Sequence, residues 1–548
     1  MNAVTRHFAY TARGRRIHYR RAGSGPPLVL LHASPNSSRV QVPQMRIWAE
    51  HFTVIALDTP GFGLSEPLAI QPVEIADLAE ALAETLDTLG LGRVLLYGRH
   101  TGGSIAVEFA RRHPQRAAFV LTDGYTITPK LPSPAYLEAY LPPITPRWDG
   151  GHLLWLWHRY REQFIFWPWN NPEGERADTD LPSPADLQRG VIEFLEAGNG
   201  YAEVYAAALR YRWDEALPHL TTPVCFGVRP GDSQYRKADY LRTAGITVET
   251  MPREAETAAR RELALLRQHA EMRDAPPPVP ATGALDYVAV GDRQLRIRRG
   301  GSGGGIPLVM LPPAPGSADQ LLPLMKKLEG SETLLAIDPP GSGYSDPAAG
   351  AGIDAWAELV VGALDRLGLD RAALYGRHGG GALAVALATQ HPRRFSSVVL
   401  DAPIVLAPAQ RDSFAAHYCP ELAPRWDGTH LVTLWHFVRD QRLWWPWFAH
   451  ARTAIHPHRP SLDVEALHGE ASILALNLES IAPSWQAVLR HPLPEQLQAL
   501  PQPLLIGADA TDPFAPCLAE ATARRPDAAH GDFGASKHST IRAFLRGL

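Results

Sequence analysis

"LLYGRHTGGS" (95–104) and "ALYGRHGGGA" (373–382) carry the same message twice. In each, an apolar run of strand character meets Gly-Arg-His, then a small residue, then more glycine. Glycines on both sides of one side chain suit a strand that turns sharply into a helix, because the two backbones can then approach closely. The side chain presented at that turn is His100 in the first stretch and His378 in the second. The repetition extends outward: "RVLLYGRHTGGSIAVEFARRHPQR" (93–116) matches "RAALYGRHGGGALAVALATQHPRR" (371–394). "PRWDGGHLLWLWHRYREQFIFWPW" (146–169) matches "PRWDGTHLVTLWHFVRDQRLWWPW" (424–447), and "ALDTPGFGLSEP" (56–67) matches "AIDPPGSGYSDP" (336–347). One unit has been duplicated. The join is expected at "MRDAPPPVPATG" (272–283), whose prolines suit a semi-rigid linker. This gives domains 1–271 and 285–548 with a linker over 272–284.

A chain of 548 residues is too long for one ordinary domain and about right for two large ones. Hydrophobic residues at 45% and charged residues at 20% describe a globular chain. The 53 basic residues nearly balance the 57 acidic ones, so no electrostatic case exists for nucleic acid or an anionic membrane as partner. Cys225, Cys419 and Cys517 are scattered and odd in number, which argues against a disulfide framework and suits a reducing, cytoplasmic setting. No signal peptide or membrane-spanning run is read. The expected partner is a small-molecule substrate. The two halves are expected to pack on each other, with a homo-oligomer left open.

Within each copy, continuous apolar strands alternate with helical stretches. Copy 1 runs through "PPLVLLHAS", "FTVIALD", "DLAEALAETLDTLG", "RVLLYG", "AAFVLTD" and "TPVCFGV". This predicts an α/β fold, with a mostly parallel sheet flanked by helices on both faces. The rhythm breaks over about 125–215, and again over about 403–492, in segments rich in tryptophan and proline. These are read as mostly helical caps inserted after the sixth strand.

The arrangement resembles the α/β-hydrolase fold across each half. "HASPNSS" (32–38) is similar to that family's His-Gly-x-Pro loop, and "DTPGFGLS" (58–65) to its Asp-x-Pro-Gly-x-Gly-x-Ser loop. "GRHTG" stands at its nucleophile elbow. The resemblance implies a catalytic acid after a late strand, at Asp232 in "GVRPGDS" and Asp512 in "GADATDP", with Asp509 an alternative. It implies a base near the C-terminus: His538 in copy 2, with His530 less well placed. Copy 1 has no histidine there before His269. The implied oxyanion hole uses backbone N–H groups of Ser34 and Thr101 in copy 1 and of Ala314 and Gly379 in copy 2. Copy 2 is therefore the better candidate for activity.

Both elbows depart from the family by carrying histidine. Imidazole there can act as a nucleophile toward an activated acyl group, with Arg99 or Arg377 disfavouring a second positive charge. It can equally serve as general acid or base without a covalent intermediate, or simply fill the turn. A metal site of His378, His538 and a carboxylate has no support in local spacing, and none is assigned. No cofactor is expected. The caps share Asp149/Asp427, His152/His430, Trp157/Trp435 and Arg161/Arg439, all candidates for substrate contact in a roof over the elbow. An aspartate before a helical run also reads as a helix cap.

The preferred expectation is a cofactor-independent hydrolase of a small ester, thioester or related acyl compound. His378 is central, His538 and Asp512 assist, and His100 with Asp232 is the weaker counterpart. The alternatives are a lyase or proton-transfer enzyme, or a pseudoenzyme with a binding or structural role, copy 1 especially.

Overall fold

The computed structural model describes residues 3–271, 273–330 and 332–547; Met272 of the proline-rich join and the chain ends lie outside the described residues. The chain divides into two units. The first comprises Met1–Thr145 and Trp155–Gly283, the second Pro146–Leu154 and Ala284–Leu548. The join thus groups with the first unit. Nine residues of the first cap, expected in the first domain, group with the second.

In the first unit the strands are β1 (Thr5–Tyr10), β2 (Arg16–Ala22), β3 (Pro27–Leu31), β4 (Thr53–Leu57), β5 (Val94–Arg99), β6 (Ala117–Asp123), β7 (Val224–Val228) and β8 (Val248–Thr250). They form one sheet in the order β1-β2-β4-β3-β5-β6-β7-β8. β2 is antiparallel to both β1 and β4, and every pairing from β4 onward is parallel. The second unit repeats this with β9 (Leu285–Val290), β10 (Arg293–Gly300), β11 (Leu308–Leu311), β12 (Leu334–Ile337), β13 (Ala372–Arg377), β14 (Phe395–Asp401), β15 (Leu504–Ala508) and β16 (Ala529–Asp532). Its order is β9-β10-β12-β11-β13-β14-β15-β16. Each unit is the α/β architecture expected from the apolar strand runs.

The central strands are apolar on both faces because helices cover both faces. β4 and β11 are buried along their whole length. The helix Ile75–Thr88 buries Ile75, Leu78, Ala79, Leu82 and Leu86, the stripe expected of a helix lying on a sheet. The helix after each elbow is central rather than flanking. Thr101–Ala110 and Gly379–Ala388 are buried without a break. The caps are mostly helical, as expected. In the second unit the cap is built from helices at Pro408–His417, Thr429–Asp440, Val464–Ala475, Leu478–Arg490 and Leu493–Ala499. In the first it also contains a two-stranded ribbon, Phe166–Trp167 with Glu175–Arg176.

One buried carboxylate in each unit ties the loops behind the elbow together. Asp58 follows β4 and accepts hydrogen bonds from Ser38 N at 2.8 Å and Leu64 N at 2.9 Å. Asp338 follows β12 and accepts from Ala318 N at 2.6 Å and Tyr344 N at 2.8 Å. A charge so deeply buried requires a partner. In the first unit that partner is His18, with Nδ1 2.7 Å from Asp58. In the second it is Arg296, with Nη2 3.0 Å from Asp338 Oδ1. Both partners lie on the antiparallel second strand of their sheet. Arg296→Met leaves Asp338 buried and uncompensated, so it is expected to cost the second unit about 3–5 kcal/mol. Thermal or denaturant unfolding checks this, and a loss within experimental error would contradict the pinning role.

Candidate active site

The elbow is built by steric exclusion. β13 ends at Arg377 and the next helix starts at Gly379, so His378 alone makes the turn. A Cβ on Gly376 would collide with the Gly380 carbonyl, and one on Gly380 with the carbonyls of Leu311 and Pro312. With strand and helix pressed this close, His378 adopts φ 49° and ψ −120°, and His100 adopts φ 47° and ψ −111°. Such values are strained for an L-residue and persist only where the surroundings enforce them. Hydrogen bonds on both sides do so: His378 N donates to Asp401 O at 3.0 Å, and its carbonyl accepts from Gly381 N at 3.0 Å.

The imidazole meets the acid directly. His378 Nε2 lies 2.8 Å from Asp512 Oδ1 and 2.9 Å from Oδ2. Asp512 also accepts from Phe514 N at 2.9 Å and from Arg377 Nη2 at 3.0 Å. Burial works against ionisation of this carboxyl, but His378, Arg377 and the Phe514 amide outweigh it and hold it well below the usual carboxylate range. An ionised carboxylate only accepts, so Nε2 carries the proton. In the neutral ring the lone pair then lies on Nδ1, which has no hydrogen-bond partner among the described residues. Behind this pair, Lys537 Nζ donates to Asp401 at 2.8 Å, and Tyr375 also donates to Asp401. The charges therefore run Lys537, Asp401, Arg377, Asp512, ending at His378.

His378 borders a cavity of about 90 Å³, closed by Ala314, Phe437, Gln441, Trp485 and Phe514 among others. At about 30 Å³ per water, that space suits a small ligand. The Ala314 and Gly379 backbones adjoin there: a Cβ on Gly379 would stand 3.3 Å from Ala314 N. Neither amide has a hydrogen-bond acceptor among the described residues. Pro312 and Pro313 before Ala314 have no N–H to offer, so Ala314 is the one donor this loop can supply at that point.

The first unit repeats the pair. His100 Nε2 is 2.8 Å from Asp232 Oδ2, and Asp232 is likewise held below the usual carboxylate range, burial being outweighed by His100 and Arg99. Arg99 stands between Asp123 and Asp232 at 3.8 and 3.7 Å. In place of Lys537, Arg229, which immediately follows β7, reaches Asp123 at 3.0 Å and Glu262 at 2.8 Å. Ser34 and Thr101 occupy the positions corresponding to Ala314 and Gly379.

Several expected site residues lie elsewhere. His538 does not join His378 and Asp512; it lies in a separate recess with Lys537, Asp509 and Phe533, and Arg377 borders both spaces. The reason is direct: the elbow imidazole already occupies the acid, leaving no place for a second ring between them. His269 stacks on Phe119, with ring centroids 3.9 Å apart. Asp149 caps the Gly151 amide at 3.0 Å and pairs with Arg147, and Asp427 caps Thr429 N at 3.1 Å. His152 and His430 turn back to accept from Arg147 N and Arg425 N, each at 3.1 Å. Burial pushes both rings down to about 4. Trp157 and Trp435 are core residues. Arg161 and Arg439 pair with their neighbours Glu162 and Asp440 at 2.7 and 2.8 Å. The cap motif therefore builds the cap, and none of its second-unit members borders the cavity beside His378.

What sequence reasoning missed is the other face of the same helix. Phe437 and Gln441, four residues apart, face the cavity, as does Arg442. A signal was available for Phe437, one of five positions where the two copies of this helix differ; Gln441 is the same residue in both copies, so comparing them does not single it out. Among the described residues no group of three or more His, Cys, Asp or Glu side chains is arranged to hold a metal ion. Among the described residues no helix is long and apolar enough to cross a membrane.

Residues 26–144 and 306–455 match the family model for the alpha/beta hydrolase fold. Over 115 residues the chain is 39% identical to a protein of Mycobacterium phage D29 named as a non-heme haloperoxidase, covering 21% of this chain and 41% of that one. Over 100 residues it is 35% identical to an (E)-2-((N-methylformamido)methylene)succinate hydrolase of Acinetobacter baylyi, covering 18% and 38%. The matches thus span about two fifths of the length of these curated relatives. A solved structure of a hydrolase from Pseudomonas aeruginosa PA01 is 22% identical with a TM-score of 0.37, covering 48% of this chain and 99% of that one, a likeness of fold alone. With the family model matched once in each unit and one sheet order repeated in both, the chain belongs to the alpha/beta hydrolase superfamily, in tandem.

Proposed function

We propose that the second unit hydrolyses a small ester, thioester or related acyl compound, with His378 as its base, and that the chain represents a histidine-elbow branch of the superfamily. The observation that carries this reading is the direct pair of His378 Nε2 and Asp512. A carboxylate that binds one ring N–H fixes the tautomer, presents the opposite nitrogen as a base and stabilises the imidazolium that forms. In this reading, neutral Nδ1 takes a proton from water as the water oxygen adds to the substrate carbonyl. Charge gathering on the carbonyl oxygen is received by the Ala314 and Gly379 amides. The imidazolium then returns its proton to the leaving group. His100 and Asp232 support the same reading for the first unit, in a less enclosed setting: the His100 side chain is 27% exposed, against 12% for His378.

Direct attack by Nδ1 is the second reading, favoured by the place of His378 at the elbow itself. Intact-mass measurement during turnover separates the two, because only direct attack adds the acyl mass to the protein.

On a panel of activated acyl esters and thioesters, His378→Ala is expected to lower kcat/KM by about 10²–10⁴-fold. His100→Ala is expected to leave most of the turnover. Activity that survives both substitutions would remove the elbow histidines from hydrolysis.

Asp512 is depressed in the folded protein, so its contribution to stability is complete above its unfolded value of about 4 and is lost as pH falls below that. The Tm gap between wild type and Asp512→Asn is therefore expected to narrow between pH 6 and pH 3. The same variant removes the carboxylate that orients the ring and stabilises the imidazolium, so it is expected to lower kcat on the ester panel. Turnover unchanged by the substitution would contradict that role.

A further inference from the structure

The cap helices "HLLWLWHRYREQ" (152–163) and "HLVTLWHFVRDQ" (430–441) agree at most positions that build the cap and differ at one that faces the site. Phe437 packs its ring on Tyr418 and Trp447, with centroids at 5.7 and 5.4 Å, and borders the cavity over His378 together with Gln441. Its counterpart is Arg159, whose guanidinium lies against the corresponding pair, 5.6 Å from the Tyr140 ring and 4.4 Å from the Trp169 ring. Phe194 closes a third side at 5.3 Å. Arg159 thus stands in the first unit where an apolar residue borders the cavity beside His378 in the second.

This arginine is 1% exposed and has no carboxylate partner among the described residues. Its one hydrogen bond, from Nη1 to Gln163 Oε1, is long at 3.4 Å. Nε and Nη2 are buried without a hydrogen-bond partner among the described residues. Aromatic faces offset part of the cost of a buried cation but leave those two N–H groups unanswered. Buried donors are almost always satisfied, so two orphans on one group call for an absent acceptor. Their position identifies its chemistry. Nε and Nη2 form the side-on edge of the guanidinium, which presents two parallel N–H bonds to the two oxygens of one carboxylate. Elsewhere in this chain the same edge does that: Arg147 holds Asp149 at 3.1 and 2.8 Å, and Arg212 holds Asp214 at 3.0 and 2.8 Å.

We propose that Arg159 is the carboxylate-recognising residue of the first unit's cap, so that this unit takes a small carboxylate-bearing ligand at a position where the second has the apolar Phe437. The ring wall around Arg159 favours a carboxylate with a flat or short apolar body. The inference concerns binding and does not require either elbow histidine to be catalytic.

The test is calorimetric titration of the full chain with sodium benzoate and, separately, benzamide, which has nearly the same shape and no charge. Wild type is expected to bind one benzoate per chain at least tenfold more tightly than benzamide. Arg159→Met is expected to lose that preference, and Arg159→Lys, which keeps the charge without the fork, to restore only part of it. His378→Ala should bind benzoate as wild type does, which keeps this result separate from the fate of the hydrolysis reading. Folding is checked on the same samples. Arg159→Met removes an unpaired buried cation and should melt no lower than ligand-free wild type, whereas benzoate should raise the wild-type Tm. Equal affinity of wild type for benzoate and benzamide, or unchanged benzoate binding by a folded Arg159→Met, would overturn the proposal.

Discussion

Both candidate sites depend on one constraint, the close crossing of a strand and a helix at the elbow. Because the glycines on either side leave no room for a Cβ, the residue between them is forced to positive φ. That conformation costs on the order of 1–3 kcal/mol. The buried helix behind it and the hydrogen bonds on either side hold it there. In return the side chain at the turn is aimed above the end of the sheet, at the loop that follows the seventh strand of each unit. Aspartate on that loop then lies within hydrogen-bond reach of whatever stands at the elbow.

Placing histidine there changes the logic of the site. In a three-residue relay the acid orients a histidine and the histidine activates a separate nucleophile. Here the elbow residue is itself the imidazole, and Asp512 or Asp232 grips it with no intermediary. The arginine preceding each elbow histidine borders a carboxylate on both sides, which balances charge locally. Two units share this row of alternating charges, although its far end is Lys537 in one and Arg229 in the other. Different residues from different elements supplying the same charge indicate that the electrostatic pattern, more than any one side chain, is what the fold requires.

The two copies diverge where ligands would be met. In the first unit Arg159, Tyr205 and Gln234 stand where the second has Phe437, Trp485 and Phe514, and Phe164 stands where it has Arg442. The positions that agree, the Asp-Gly turn and the histidine three residues beyond the aspartate, prove to be helix-cap and backbone contacts. Shared identity at the turn thus marks the architecture of the cap, while the cavity wall holds both a shared residue, Gln441 with its counterpart Gln163, and a differing one, Phe437 against Arg159.

Duplication, sheet type, the two elbows and the acids after the late strand were legible in the residues, because each rests on local pattern: apolar runs of strand length, glycine at close crossings and motifs in a fixed order. The caps were legible as interruptions of that pattern. Which cap residues face the cavity was not, since a helix spreads neighbouring residues around its whole circumference and only packing decides which face looks inward. Nor could spacing reveal that His378 reaches Asp512 itself and so excludes His538. That outcome depends on the direction of one side chain from a strained turn, which only the assembled strand, helix and loop determine.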